Sequence, residues 1–288
     1  MKHWHLLALL YPAFAHAGEK IEFHYTNQQV LAASTTDQGN LARDWFDRCA
    51  AGGEFAELAA SYGPDPRLTL GQREAAEKSF DRVRFEKIAQ QAFDKVVSHM
   101  PQAQLTLCVD FTHPADTFAR DQMRGVMALT AGSGKVIIKL HPEADWATLL
   151  PYVLAHELHH SYWAKHHFDA TNSFTLGDYL VFEGRADYFA KHVFGQHPAP
   201  WIDALTDEQF AVTLEAFRPK FPDSSPEVLM GSMFGNPQAG IPLWAGYTVG
   251  YRLVAQRLAG QARPDWPAIT AMPTTEFLPA AANAQAGD

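Results

Sequence analysis

Apolar residues recur at helical spacing through residues 41–62 and 69–99, with charged positions between them. In the second stretch Ala76, Phe80, Val83, Phe85, Ile88, Ala92 and Val96 form one stripe, which predicts amphipathic helices packed by one face. Lys20–Tyr25 and Leu105–Phe111 are short and rich in β-formers and read as strands. Gly125–Thr130 and Lys135–His141 flank Ala131-Gly132-Ser133-Gly134, the composition of a turn between paired strands. In the later strand Val136, Ile138 and Leu140 share one face, and Lys135, Ile137, Lys139 and His141 share the other. Lysines alternating along a strand predict a sheet edge. From about residue 145 the pattern turns helical, with helices expected near 148–166, 177–194, 207–217, 225–233 and 243–260. The expected architecture is therefore α+β: a small N-terminal mixed sheet with helices (18–145), then a mainly helical half (146–280), within one domain. Residues 281–288 read as a flexible tail.

Composition narrows the function classes. The chain has 288 residues, 47% of them hydrophobic, so it has ample material for a core. It carries 23 basic against 32 acidic side chains, a formal charge of -9 with no basic run, which argues against a nucleic-acid partner. The start has the layout of a secretory signal peptide, residues 1–17: Lys2, an apolar run from Leu6 to Ala15, and the small-x-small site Ala15-His16-Ala17. That run is too short, and interrupted by Pro12, to span a bilayer, so no membrane span is expected in the mature chain and the expected location is periplasmic or secreted. The two cysteines, Cys49 and Cys108, either pair in that oxidising setting or stay as buried thiols, because spacing alone does not decide pairing.

Chemistry concentrates in Ala155-His156-Glu157-Leu158-His159-His160. On a helix His156 and His160 lie four residues apart, so both imidazoles leave one face and can bind a single Zn²⁺. Glu157 sits about 100° further round, where it can act as a general base on water without binding the metal. The apolar run Leu149–Ala155 predicts that this helix is central and buried, with Pro151 either in its first turn or kinking it.

A catalytic zinc needs a third protein ligand. His166 is excluded, because Trp163 stands where a helix-breaking glycine would be required and an unbroken helix turns His166 away. Glu183, 23 residues beyond His160, opens an E-x-x-x-D pair with Asp187. That spacing puts both carboxylates on one helix face, so Glu183 can bind the metal while Asp187 accepts the other N–H of a ligand histidine. Of the remaining histidines, His159 reads as a supporting or surface group and His166 and His167 as a solvated helix end. His141 is a possible cleft residue, and His192 and His197 have no ligand spacing.

H-E-x-x-H followed by E-x-x-x-D resembles the gluzincin class of zinc metallopeptidases. More closely, H-E-L-H-H, E-G-x-A-D-Y-F-A and Gly246-Tyr247-x-x-Gly250-Tyr251 together resemble the YjaZ-like family of predicted zinc-dependent proteases, over roughly Gly125 to Leu258. The first hundred residues carry no motif of that family. The resemblance implies a zincin-like fold with the active-site helix between its halves, one zinc on His156, His160 and Glu183, and Glu157 as base. It further implies that Lys135–His141 lies above the metal and pairs with an extended peptide substrate. Many gluzincins place a His or Tyr from the C-terminal half on the oxyanion. The last histidine here is His197, so the choice falls on Tyr247 and Tyr251, with Tyr251 preferred, although either can equally be a half-buried core tyrosine. The function expected is an exported zinc peptidase. The competing expectation is a non-catalytic, zinc-binding peptide-recognition or chaperone-like protein on the same scaffold.

Overall fold

The structure is a computed structural model that describes residues 20–33, 38–261 and 263–279; the signal-peptide and tail assignments fall outside the described residues. Four strands, β1 (Lys20–Tyr25), β2 (Gln104–Phe111), β3 (Val126–Gly132) and β4 (Lys135–Leu140), make one sheet in the order β1-β2-β4-β3. β1 with β2 and β2 with β4 are parallel; β3 returns antiparallel to β4, giving the mixed α+β arrangement.

One expectation is corrected here. β4, the Lys135–His141 segment, is an interior strand paired on both sides, and β3 is the edge. Its lysines are half-buried and tied to backbone: Lys135 Nζ donates to the Ala51 carbonyl at 2.6 Å and Lys139 Nζ to that of Gly63 at 2.7 Å. The alternation that resembles an edge arises because long lysine stems cover apolar surface while their ammonium ends reach backbone oxygens of a crossing segment.

Between β1 and β2 lie α1 (Thr26–Ala32), α2 (Gln38–Cys49), α3 (Ala56–Ala60), α4 (Leu70–Ser79) and α5 (Arg82–Val97). The expected helix over 69–99 is broken at Phe80-Asp81, where the Asp81 side chain accepts from the Arg84 N–H at 3.0 Å and restarts the helix. One sheet face packs on α5 and α6 (Trp146–His167) through Phe85, Phe93, Leu107, Val109, Ile138, Leu150 and Leu154. The other face packs on α2 and α3 through Trp45, Ala59, Cys108 and Ile137. In that layer Cys49 and Cys108 are joined by a disulfide, Cα–Cα 5.9 Å.

The C-terminal half supplies α7 (Leu176–Phe194), α8 (Asp207–Phe217), α9 (Pro226–Met233), α10 (Ala245–Arg257) and α11 (Trp266–Ala271). Each expected helix is present, while the short α1 and α11 have no periodicity long enough to announce them. α6 lies along β3, α7 packs on α6, and α10 on α7. α7 and α10 cross where two glycines meet: a Cβ on Gly184 would lie 2.3 Å from the Gly250 carbonyl oxygen. Among the described residues no helix is long and apolar enough to cross a membrane.

Candidate metal centre

α6 is buried on nearly every side, so its polar residues are removed from water and must find partners inside the protein. Pro151 lies inside the helix, five residues past its first residue, rather than in its first turn. Two turns later His156 and His160 are 6% and 4% exposed, and Glu157 is 7% exposed. The facing helix α7 is started by a capping box, in which Thr175 Oγ1 accepts from the Asp178 N–H at 3.2 Å and the Asp178 carboxylate accepts from the Thr175 N–H at 3.1 Å. With its start so set, α7 presents Glu183 and Asp187 to α6.

His156 Nε2 stands 3.1 Å from Glu183 Oε2 and 2.9 Å from His160 Nε2, and His160 Nε2 is 3.5 Å from Glu183 Oε2. Three lone-pair atoms thus face one point. A position equidistant from them lies roughly 1.9 Å from each, so the triangle is of a size that zinc, with bonds of ~2.0–2.2 Å, can bridge. The donor set of two imidazoles and one carboxylate also suits zinc. Among the described residues this is the one cluster of three His, Cys, Asp or Glu whose ligand atoms lie within 4.8 Å of one another.

The supporting contacts are equally specific. His156 Nδ1 donates to Asp187 Oδ1 at 3.0 Å, which directs the Nε2 lone pair toward the metal position. The same oxygen accepts from Trp201 Nε1 at 3.0 Å and from the Tyr152 hydroxyl at 3.1 Å. His160 Nδ1 is buried without a partner, and its ring is held instead by Phe182, stacked at 3.9 Å. Burial would lower the His156 pKa, but the Asp187 charge and hydrogen bond, joined by Glu183, overcome it and raise the value well above the ordinary one. Burial would raise Glu183; His160 and His156 outweigh it and hold the carboxyl at about 2. The two directions are the two sides of one charge-paired cluster, in which the carboxylates of Asp187 and Glu183 stabilise positive charge at the histidines.

Glu157 is held against the edge strand. The Thr130 hydroxyl of β3 lies 2.7 Å from Glu157 Oε2 and 2.8 Å from the Glu157 carbonyl oxygen, and shares its one proton between them. The His141 amide donates to the Gly125 carbonyl at 2.9 Å, which makes Val126–Leu140 a non-hydrogen-bonded pair. The backbone groups of Ala128 and Thr130 therefore face outward from β4, along the edge beside Glu157, whereas the Val126 N–H already donates to the Met123 carbonyl at 3.1 Å.

The two candidate phenols separate. Tyr247 packs against Trp201, Phe234 and Trp244, and its phenol is pushed well above its ordinary pKa by burial, then by Glu183, Tyr179, Asp187 and Glu157. It is a neutral donor within the field of the site. Tyr251 lies one turn further along α10, with its ring against Tyr188 and under Lys191 Nζ at 4.9 Å. That places it beside α7 residues five and eight positions past Glu183.

Several participating residues escaped the sequence reading. Tyr152 and Tyr179 stand four residues before His156 and Glu183, and that same-face spacing was a usable signal. Burial raises the Tyr179 phenol first, and the charges of Glu183 and Glu157 raise it further. Thr130 and Trp201 come from distant segments and had no local signal. His159 is fully buried, not at the surface, and its Nε2 meets Thr270 Oγ1 at 3.2 Å. His141 is also buried and outside the cleft, 3.1 Å from the Pro114 carbonyl oxygen.

The chain is 31% identical over 134 residues to the uncharacterized protein YjfC of Bacillus subtilis (strain 168), an alignment covering 42% of this chain and 44% of that one. The chain thus spans less than half of that relative's length. No solved structure matches. The sequence model of one family matches residues 85–279, a span that contains the whole donor cluster, and on that match the chain belongs to the family described as "Predicted Zn-dependent protease (DUF2268)".

Proposed function

We propose that the chain is an exported peptidase that uses one zinc ion, held by His156, His160 and Glu183, to hydrolyse peptide bonds. The observation that carries this reading is the convergence of those three donors beside a carboxylate, Glu157, that faces an open strand edge. Zinc in such a set supplies a Lewis acid for the carbonyl and lowers the pKa of water to about 7.

The chain's own residues do the rest. The outward backbone groups of β3 bind an extended peptide by adding it as a strand, with little dependence on side chains. Thr130 orients Glu157, which takes the proton from the attacking water and returns it to the leaving amine. Asp187 fixes the His156 tautomer, and Tyr152 and Trp201 fix Asp187. Tyr247 is taken as the oxyanion donor ahead of Tyr251 because its ring packs on Trp201, whose indole N–H donates to Asp187 at 3.0 Å. Export is supported by the signal-like N-terminus and by the Cys49–Cys108 disulfide, a bond that persists in oxidising compartments.

The test is Glu157→Gln. Zinc stoichiometry should stay at one per chain while cleavage of a random peptide pool is abolished. A variant that still cleaves removes Glu157 from the mechanism, and wild-type protein that binds peptides without turnover favours the recognition-protein alternative.

A further inference from the structure

One side of the metal cluster is walled by aromatic rings that the mechanism above does not use. Phe182 stacks on the His160 ring at 3.9 Å and contacts Trp163 at 5.0 Å and Phe174 at 5.4 Å. Phe55 lies 6.3 Å from Phe182, 6.4 Å from Trp163 and 5.5 Å from Phe168. Phe168 and Phe174 are 37% and 36% exposed, so the shelf opens to solvent beside a metal donor instead of closing into the core. Phe55 is placed there by a segment outside the family match, which begins at residue 85. That segment follows the Cys49–Cys108 disulfide, and the Phe55 N–H donates to the Ala131 carbonyl at 3.0 Å. This bond occupies the edge of β3 at its end. A peptide paired along Ala128 and Thr130 must leave the edge there, and the surface it then meets is this shelf.

Building on the peptidase reading, we propose that Phe55, Trp163, Phe168, Phe174 and Phe182 form a subsite for one large apolar or aromatic side chain of the substrate, with Phe55 and Phe174 setting the preference. The shelf offers ring faces and edges and no charged group of its own, so it favours an aromatic or leucine side chain and rejects a carboxylate that would lose its water.

The experiment uses the zinc-loaded full chain and a peptide series in which each position in turn is Phe, Leu, Ala or Asp. At one position wild type should prefer Phe or Leu over Asp by 10- to 100-fold in kcat/KM, of the order expected for an apolar pocket. Phe174→Ala and Phe55→Ala should each reduce that ratio about 10-fold or more while zinc stoichiometry stays at one. Calorimetric titration of the Glu157→Gln protein with the same peptides reads binding without turnover. Preference for Phe in binding, with no cleavage by wild type, upholds the subsite and overturns the peptidase. Cleavage or binding with equal efficiency across the series, or a preference unchanged in both variants, overturns the subsite.

Discussion

Replacing Gly250 by Ala tests the packing that sets α10, and with it Tyr247, against the metal helix pair. An added Cβ would lie 2.0 Å from the Leu180 carbonyl oxygen and 2.9 Å from its carbon. Ordinary contacts of this kind are at least about 3.2 Å, so α10 must retreat by roughly 1 Å, because the obstacle is backbone and no rotamer relieves it. A gap of 0.5–1 Å forfeits about a quarter to a half of each dispersion contact across the interface. That interface includes the buried Leu180, Val249 and Leu253, so the loss belongs at the upper end of the overpacking range, about 3 kcal/mol. For a chain of this size that corresponds to a fall in Tm of roughly 6–12 °C. The assay is thermal unfolding of the zinc-loaded protein, with Gly71→Ala as the control. Gly71 lies in α4 with nothing within 4 Å of an added Cβ, and that change should be neutral or stabilising by up to about 1 kcal/mol. If Gly250→Ala melts with wild type, the two backbones do not cross as closely as described and the assignment of Tyr247 to the site loses its geometric basis.

Three further outcomes are expected. Tyr247→Phe should lower kcat by ~10²–10³ with zinc retained, whereas Tyr251→Phe should stay within a few-fold of wild type; the reverse order would return the oxyanion role to Tyr251. Asp187→Asn should weaken zinc binding by ~10–100-fold in competition with a chelator, since the amide no longer fixes His156 as a carboxylate does; undiminished affinity would show that His156 orients itself. Reducing the Cys49–Cys108 bond, which closes a separation of 59 residues, should lower unfolding stability by about 4 kcal/mol in denaturant titrations, and an unchanged midpoint would contradict the loop-closure account.

How much of the site could be read from the chain follows from distance along it. His156, Glu157 and His160 lie within five residues, and Glu183 and Asp187 within five more, so helical periodicity alone aligned each set on its own face. The tyrosines were seen but not told apart, because positions 247 and 251 share a helix face and differ in what they pack against, Tyr247 on Trp201, Phe234 and Trp244 and Tyr251 on Tyr188. The sheet edge was misplaced for a similar reason: alternating lysines look the same whether their ammonium groups meet water or the carbonyls of Ala51 and Gly63.

By itself the sequence determined the α+β division and nearly every helix, and it aligned His156, His160 and Glu183 as candidate donors with Glu157 as the proposed base, all of which rest on periodicities of 3.6 or 2 within a few turns. Tertiary structure alone decided that β3 and not β4 is the open edge, that Cys49 meets Cys108, that Thr130 and Trp201 support the site, and that Phe55 reaches its rim. Those facts depend on contacts between segments tens of residues apart. Such contacts are selected by burial, which is non-directional, and by the hydrogen bonding of whole layers, so no local pattern encodes them.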